Sequence, residues 1–256
     1  MNRVSPRLGL CSVTLRHLDV AGVLGAAVEA GLECVEWGAD VHVPAGDEAV
    51  AVRVRGATEE AGLAVASYGS YYRAGCTDPA EFDGVLRSAV LLGAPRIRIW
   101  AGATGTEEAS PEERAAVVED TRRAAELAAD VGVYLAYEFH RNTLTDGADR
   151  VLRLLEEVGR PDVLTYWQPP LDVADSDALL GLDAVIDGVA AVHAFSWWPG
   201  TTRRPLSARS ELWGGVLGRL RVGGGGGPMD VLLEFVPGDD EGILAREART
   251  LRGLGE

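Results

Sequence analysis

Val133–His140, VYLAYEFH, is the stretch on which the reading of this chain turns. The run Val133–Tyr137 is apolar and β-prone, the pattern of a strand covered on both faces. It ends on Glu138, Phe139 and His140. A carboxylate at the end of a buried strand is costly unless a partner stabilises it. Just before the run stands Gly132, and the same grammar recurs along the chain. The junctions read AGLECVEW, AGLAVASY, LGAPRIRIW, VGVYLAYEF, VGRPDVLTYW, DGVAAVHAF and GGPMDVLLEF, with Gly31, Gly62, Gly93, Gly132, Gly159, Gly188 and Gly227 ahead of the apolar run. Glycine is what a left-handed helix C-cap asks for. These glycines are spaced by 27 to 39 residues, the size of one strand–helix unit.

With an opening strand at Leu8–Val13, seven junctions imply eight strands. The segments between them carry helical signals. Asp78-Pro79-Ala80-Glu81 and Ser110-Pro111-Glu112-Glu113 place a capping residue before proline and glutamate. Val20, Val23, Leu24, Ala27 and Val28 fall at helical spacing, as do Phe82, Val85, Leu86, Ala89 and Val90, and Val151, Leu152, Leu155 and Val158. Strands alternating with helices predict a parallel sheet. Eight such units closed on themselves make an α/β protein of the (β/α)8 TIM-barrel class, a single domain over residues 1–256. No G-x-G-x-x-G follows the first strand, which argues against an open dinucleotide-binding sheet. Gly223–Gly227 with Pro228 reads as a flexible connector; a strand follows it, so it is no phosphate cradle.

Composition closes several classes of function. The formal charge is −15, which disfavours nucleic acid and anionic membrane as partners. All 24 basic residues are arginine, so lysine Schiff-base chemistry and a Walker-type phosphate loop are excluded. Cys11, Cys34 and Cys76 are scattered and odd in number, as in a reduced, cytoplasmic protein. No apolar run approaches the ~18 residues of a membrane span. Composition leaves a small-molecule partner and assembly into a homo-oligomer open.

In a TIM barrel the chemistry sits at the C-terminal strand ends. His17, His42, His140 and His193 all fall at or just beyond such ends, as do most aromatics, among them Trp37, Tyr68 and Trp100. Aromatic walls with a few polar groups suit a sugar-sized ligand. Four strand ends carry a potential metal ligand: Glu138, Gln168, His193 and Glu234. Counting back by two gives Ala136, Tyr166, Ala191 and Leu232 as inward neighbours, so the four side chains can converge. Two carboxylates and an imidazole suit Mn²⁺, Mg²⁺, Co²⁺ or Zn²⁺. Glu36 reads as one half of a structural ion pair with Arg98. Arg203 and Arg204 follow the seventh strand, near where many barrels hold a phosphate.

The strand-five and strand-eight motifs, YEFH and LLEFV, resemble those of the xylose-isomerase-like TIM barrels, the sugar phosphate isomerase/epimerase superfamily, and the likeness spans essentially the whole chain. The resemblance implies one divalent metal held by Glu138, Gln168, His193 and Glu234. Gln168 stands where that family carries Asp, which removes a negative charge and predicts weak binding. It further implies isomerisation or epimerisation of a small sugar or polyol-derived ketone through an enediolate. Glu138 and Glu234 would be the acid/base pair, and His140, Trp37, Tyr68, Trp100, His17 and Arg203 would contact substrate. An inosose-type dehydratase and a non-catalytic sugar-binding barrel are the alternatives on the same scaffold.

Overall fold

Five of the junction glycines adopt the left-handed backbone that their position predicted: Gly31, Gly62, Gly93, Gly132 and Gly159, with φ between 65° and 76°. At Gly93 and Gly159 the residue is the C-cap itself, its N–H returning to the last helical turn. Gly188 departs from the pattern, because it closes a 3-10 turn, Ile186–Gly188, ahead of its strand. The protein was analysed as a computed structural model that describes residues 6–221 and 229–255. Gly227 and the Gly223–Pro228 connector lie outside the described residues.

The barrel strands are β1 (Arg7–Cys11), β2 (Cys34–Gly38), β3 (Ala64–Arg73), β4 (Arg96–Trp100), β5 (Tyr134–Tyr137), β6 (Val163–Trp167) and β7 (Val189–Ala194). A two-stranded hairpin follows, β8 (Ser196–Trp197) with β9 (Arg203–Arg204), and the last barrel strand is β10 (Asp230–Leu233). The eight barrel strands close in the order β1-β10-β7-β6-β5-β4-β3-β2, the predicted parallel barrel. The helices are α1 (Val20–Glu29), α2 (Glu48–Glu60), α3 (Phe82–Leu92), α4 (Pro111–Ala129), α5 (Ala148–Val158), α6 (Asp175–Val185), α7 (Ser210–Leu220) and α8 (Leu244–Gly255). No described helix is long and apolar enough to cross a membrane. Cys11, Cys34 and Cys76 are not joined by a disulfide.

Capping follows the sequence closely at α4. Ser110 and Glu113 form a reciprocal capping box, with Ser110 N donating to Glu113 Oε2 at 2.7 Å. Asp78 also caps, but Pro79–Glu81 winds first as a 3-10 turn and α3 begins only at Phe82. The apolar stripes are narrower than spacing alone suggests. Val23, Leu24 and Ala27 are buried on α1, whereas Val28, Val90 and Leu152 at the stripe edges are exposed. A helix on a barrel touches the strands along a band of limited width, so residues at its margin stay wet.

Two compact units make up the chain: Met1–Glu36 with Ala57–Ala64 and Trp167–Glu256, and Trp37–Gly56 with Val65–Tyr166. In the first, β1 pairs with both β10 and β2, and β10 with β7, which sets Cys11 beside Glu36 and Leu232 beside His193. In the second, β4 lies between β3 and β5, and β5 pairs with β6. Outward residues pack as alternation demands: Tyr137 on β5 bonds Thr121 of α4, and burial pushes its phenol pKa well above the usual range. Trp167 on β6 meets Trp213 of α7 edge to face at 6.5 Å.

Candidate metal centre

Two sets of polar side chains gather at strand ends, one in each unit. In the first unit the centre is His193, the next-to-last residue of β7, with a fully buried side chain. Its Nδ1 lies 3.1 Å from Gln168 Oε1 and 3.5 Å from Glu234 Oε2. Its Nε2, on the other edge of the ring, lies 3.2 Å from Glu36 Oε1. Cys11 Sγ lies 3.2 Å from Glu36 Oε1 and 3.7 Å from Glu234 Oε1. The sheet fixes these positions. Glu234 follows directly on β10 and its N–H still bonds Ala194 O of β7 at 3.1 Å, while Gln168 follows directly on β6. The structure thus brings three of the four predicted ligands together.

The chemistry of that set can be tested against a cation. Nδ1, an amide oxygen and a carboxylate oxygen face one another. A proton on Nδ1 can satisfy one of those oxygens; a metal ion satisfies all three groups at once. With metal–ligand bonds of ~2.0–2.2 Å, neighbouring ligands stand on the order of 3 Å apart. The separations of 3.1 and 3.5 Å match that, so the residues fit a divalent ion. A second trio shares the same histidine: ligand atoms of Cys11, Glu36 and His193 lie within 4.8 Å of one another, all buried.

The second unit holds Glu138, buried just beyond β5. Its Oε2 accepts from the Arg98 guanidinium and, at 2.5 Å, from Trp100 Nε1. The backbone is pinned too, since Glu138 N donates to Ile99 O at 2.9 Å and Thr145 Oγ1 donates to Glu138 O at 2.6 Å. Trp100 is held by Arg73, whose Cζ lies 4.1 Å from the ring centroid, and by the edge of Tyr71 at 5.3 Å. His140 tilts against Trp100 with centroids 5.5 Å apart. Tyr68 is fully buried and donates to Val43 O at 2.8 Å. Burial holds its phenol protonated far above the usual range, so its face, not its oxygen, is what it offers. Trp37 is also fully buried, edge-on to His42 at 5.8 Å.

The remaining predicted contacts lie further out in the first unit. His17 is exposed and pairs with Glu241 at 3.3 Å. Arg203 pairs with Asp239 at 2.5 Å and lies 5.1 Å from the Phe235 ring centroid. Phe235 itself carries φ 45°, a strained value for an aromatic residue, immediately after Glu234.

Sequence reasoning gave Glu36 a purely structural part and Cys11 no part at all. Cys11 ends β1 and Glu36 is the middle residue of β2, positions that sequence can assign to strands but not to one another. A thiol is easily passed over, because buried cysteine usually packs as a small hydrophobe.

Three comparisons bear on kinship. A 3-dehydroshikimate dehydratase of Bacillus anthracis is 27% identical over 187 residues, 66% of this chain and 66% of that protein, so the match spans about two thirds of the relative's length. The crystal structure of the probable 3-DHS dehydratase AsbF from Bacillus anthracis superposes with a TM-score of 0.79 at 20% identity, covering 96% of this chain and 98% of that one. A D-allulose 3-epimerase from Methylomonas sp. gives a TM-score of 0.71 at 17% identity, covering 99% of both chains. Residues 24–170, more than half the chain, match one family model, and the protein belongs to the xylose isomerase-like TIM barrel family.

Proposed function

We propose that the protein is a metal-dependent enzyme that removes a proton beside a carbonyl in a small polyhydroxylated substrate and then expels a hydroxyl from the adjacent carbon. The substrate would be a cyclic hydroxy-ketone of the 3-dehydroshikimate type, by analogy with the 27%-identical relative. The observation that carries this reading is the meeting of His193 Nδ1, Gln168 Oε1 and Glu234 Oε2. Those three would hold one Mn²⁺, Mg²⁺, Co²⁺ or Zn²⁺. The ion supplies positive charge where the carbonyl oxygen turns negative.

The chain's own residues do the rest. A glutamate, Glu138 or Glu234, takes the proton as the C–H bond breaks and gives it to the departing hydroxyl, which leaves as water. Arg98 and Trp100 hold Glu138 at a fixed angle. Gln168 contributes an oxygen without charge, so the ion is bound weakly. His140 and Trp100 present ring faces to the substrate, and Arg203 supplies a cation at the rim.

Epimerisation of a ketose shares the first step and is the second reading. The adjacent faces of Trp100 and His140, which suit a sugar ring, favour it. The test is to load metal-stripped protein with Mn²⁺ and incubate it in D₂O with 3-dehydroshikimate and with a panel of ketoses. Dehydration gives a conjugated product visible by ultraviolet absorbance, dependent on metal and lost in Glu138→Gln and Glu234→Gln. Deuterium entering a ketose without loss of water means epimerisation. Bound metal with neither outcome removes the enzymatic reading.

A further inference from the structure

If a cation sits among Gln168, His193 and Glu234, as proposed above, His193 must present a bare Nδ1 to it. A neutral imidazole carries one proton, and something has to keep that proton on Nε2. The group facing Nε2 is Glu36, at 3.2 Å, with both side chains fully buried. We propose that Glu36 is a positioning residue that accepts the Nε2 proton and so reserves the Nδ1 lone pair for the metal.

Cys11 extends the arrangement. Its thiol lies 3.2 Å from the same Glu36 oxygen and 3.7 Å from Glu234 Oε1, so one S–H group spans the positioning carboxylate and a proposed ligand. Cys11 and Glu36 are register partners across β1 and β2, and Leu232 and His193 across β10 and β7. The link is therefore set by the sheet rather than by a loop. A carboxylate behind a ligating histidine fixes the ring and makes the opposite nitrogen a better donor, and losing such a partner commonly costs ~10–100-fold in metal affinity.

The rival arrangement uses the same atoms. Cys11, Glu36 and His193 Nε2 could themselves take a thiophilic ion, since their ligand atoms lie within 4.8 Å of one another. The two assign opposite nitrogens to the metal, which makes them separable. The first measurement is the long-range ¹H–¹⁵N spectrum of the ¹⁵N-labelled full chain, whose four histidines keep it readable, metal-free and with Mg²⁺. The proposal expects His193 protonated at Nε2 and bare at Nδ1 in both. The second is Mn²⁺ titration: Glu36→Leu should bind ~10–100-fold more weakly and lose the single tautomer. Glu36→Gln, which keeps an oxygen acceptor, should fall less and keep the Nε2 proton. The third is Co²⁺ loading, with no thiolate-to-cobalt charge-transfer band expected and binding retained in Cys11→Ser.

A bare Nε2 overturns the proposal, as does a charge-transfer band abolished by Cys11→Ser, or a Leu variant with wild-type tautomer and affinity. Should the Leu variant not fold, the wild-type spectrum and the Gln variant decide. If the wild type binds no Mn²⁺, the metal reading is what fails, and the metal-free spectrum still judges Glu36: a proton on Nε2 supports its role and a proton on Nδ1 refutes it.

Discussion

Glu138 and Glu234 each follow directly on a barrel strand, are 5% and 3% exposed, and are held in opposite ways. Against Glu138 stand a guanidinium and an indole N–H, both built to donate. Against Glu234 stand an imidazole nitrogen and a thiol, groups whose protons can be given up. The first carboxylate has a covalently fixed positive partner. The second stands in the set proposed above to hold a divalent cation. The lesson is that two residues with the same sequence signature, a glutamate after an apolar strand, can be assigned to different physical tasks only from what lies across from them.

The sharpest way to break the comparison is to neutralise each carboxylate. Glu138→Gln and Glu234→Gln are each expected to lower turnover by about 10²–10⁴-fold, the range for a displaced acid/base group. Metal affinity should fall in Glu234→Gln, as measured by Mn²⁺ titration. Full activity in either variant removes that residue from the acid/base pair.

Stability should separate what activity does not. Arg98→Met leaves the Glu138 carboxylate buried without the guanidinium that faces it. Removing one member of a buried ion pair costs about 3–5 kcal/mol, so the urea midpoint should drop steeply. Glu234→Gln in metal-free protein replaces a buried charge by an isosteric amide and should cost less than about 1 kcal/mol, because the charge itself is a burden without its cation. Equal losses in the two variants would show that Glu234 too depends on a fixed partner.

A smaller effect sharpens the metal side. Gln168→Asp adds one anionic oxygen to the set around His193 Nδ1. Ligand charge count tunes divalent affinity, and a gain on the order of ten-fold in Mn²⁺ binding is expected. Weaker binding in the Asp variant would mean that the Gln168 oxygen is not directed at the ion.

Much of this was legible in the sequence, for identifiable reasons. The glycine before each apolar run reports a backbone need, φ near +70°, that few other residues meet, so Gly31, Gly62, Gly93, Gly132 and Gly159 located the junctions directly. Strand alternation then placed Gln168, His193 and Glu234 on one inward row, and the structure unites them. The roles of Glu36 and Cys11 were not legible, because period-two counting says which face a residue takes but not which neighbour it meets. That depends on strand register, Cys11 opposite Glu36, which no local pattern encodes. Val28 of α1 and Val90 of α3 are exposed for a similar reason, since spacing gives the centre of an apolar stripe and only packing gives its width.

The smallest expected effect lies away from both carboxylates and shows what an ordinary ion pair does in this fold. Glu157 on α5 accepts from Arg114 of α4 at 2.6 Å and from Arg153 one turn back at 2.9 Å. Partial burial pushes its carboxyl pKa up, but the bonds from Arg114 and Arg153 outweigh it and hold the pKa below the usual glutamate value. A folded-state pKa below the unfolded one means stability that is present above the unfolded value, ~4.3, and lost as pH falls towards the folded one. The side chain is 33% exposed and screened by water, so the contribution is about 0.5 kcal/mol, in the range of surface pairs. The urea midpoints of wild type and Glu157→Gln should therefore differ at pH 7, with the wild type ahead, and converge near pH 3, below both pKa values. A constant gap between the two proteins would show that shape and not charge holds α4 to α5.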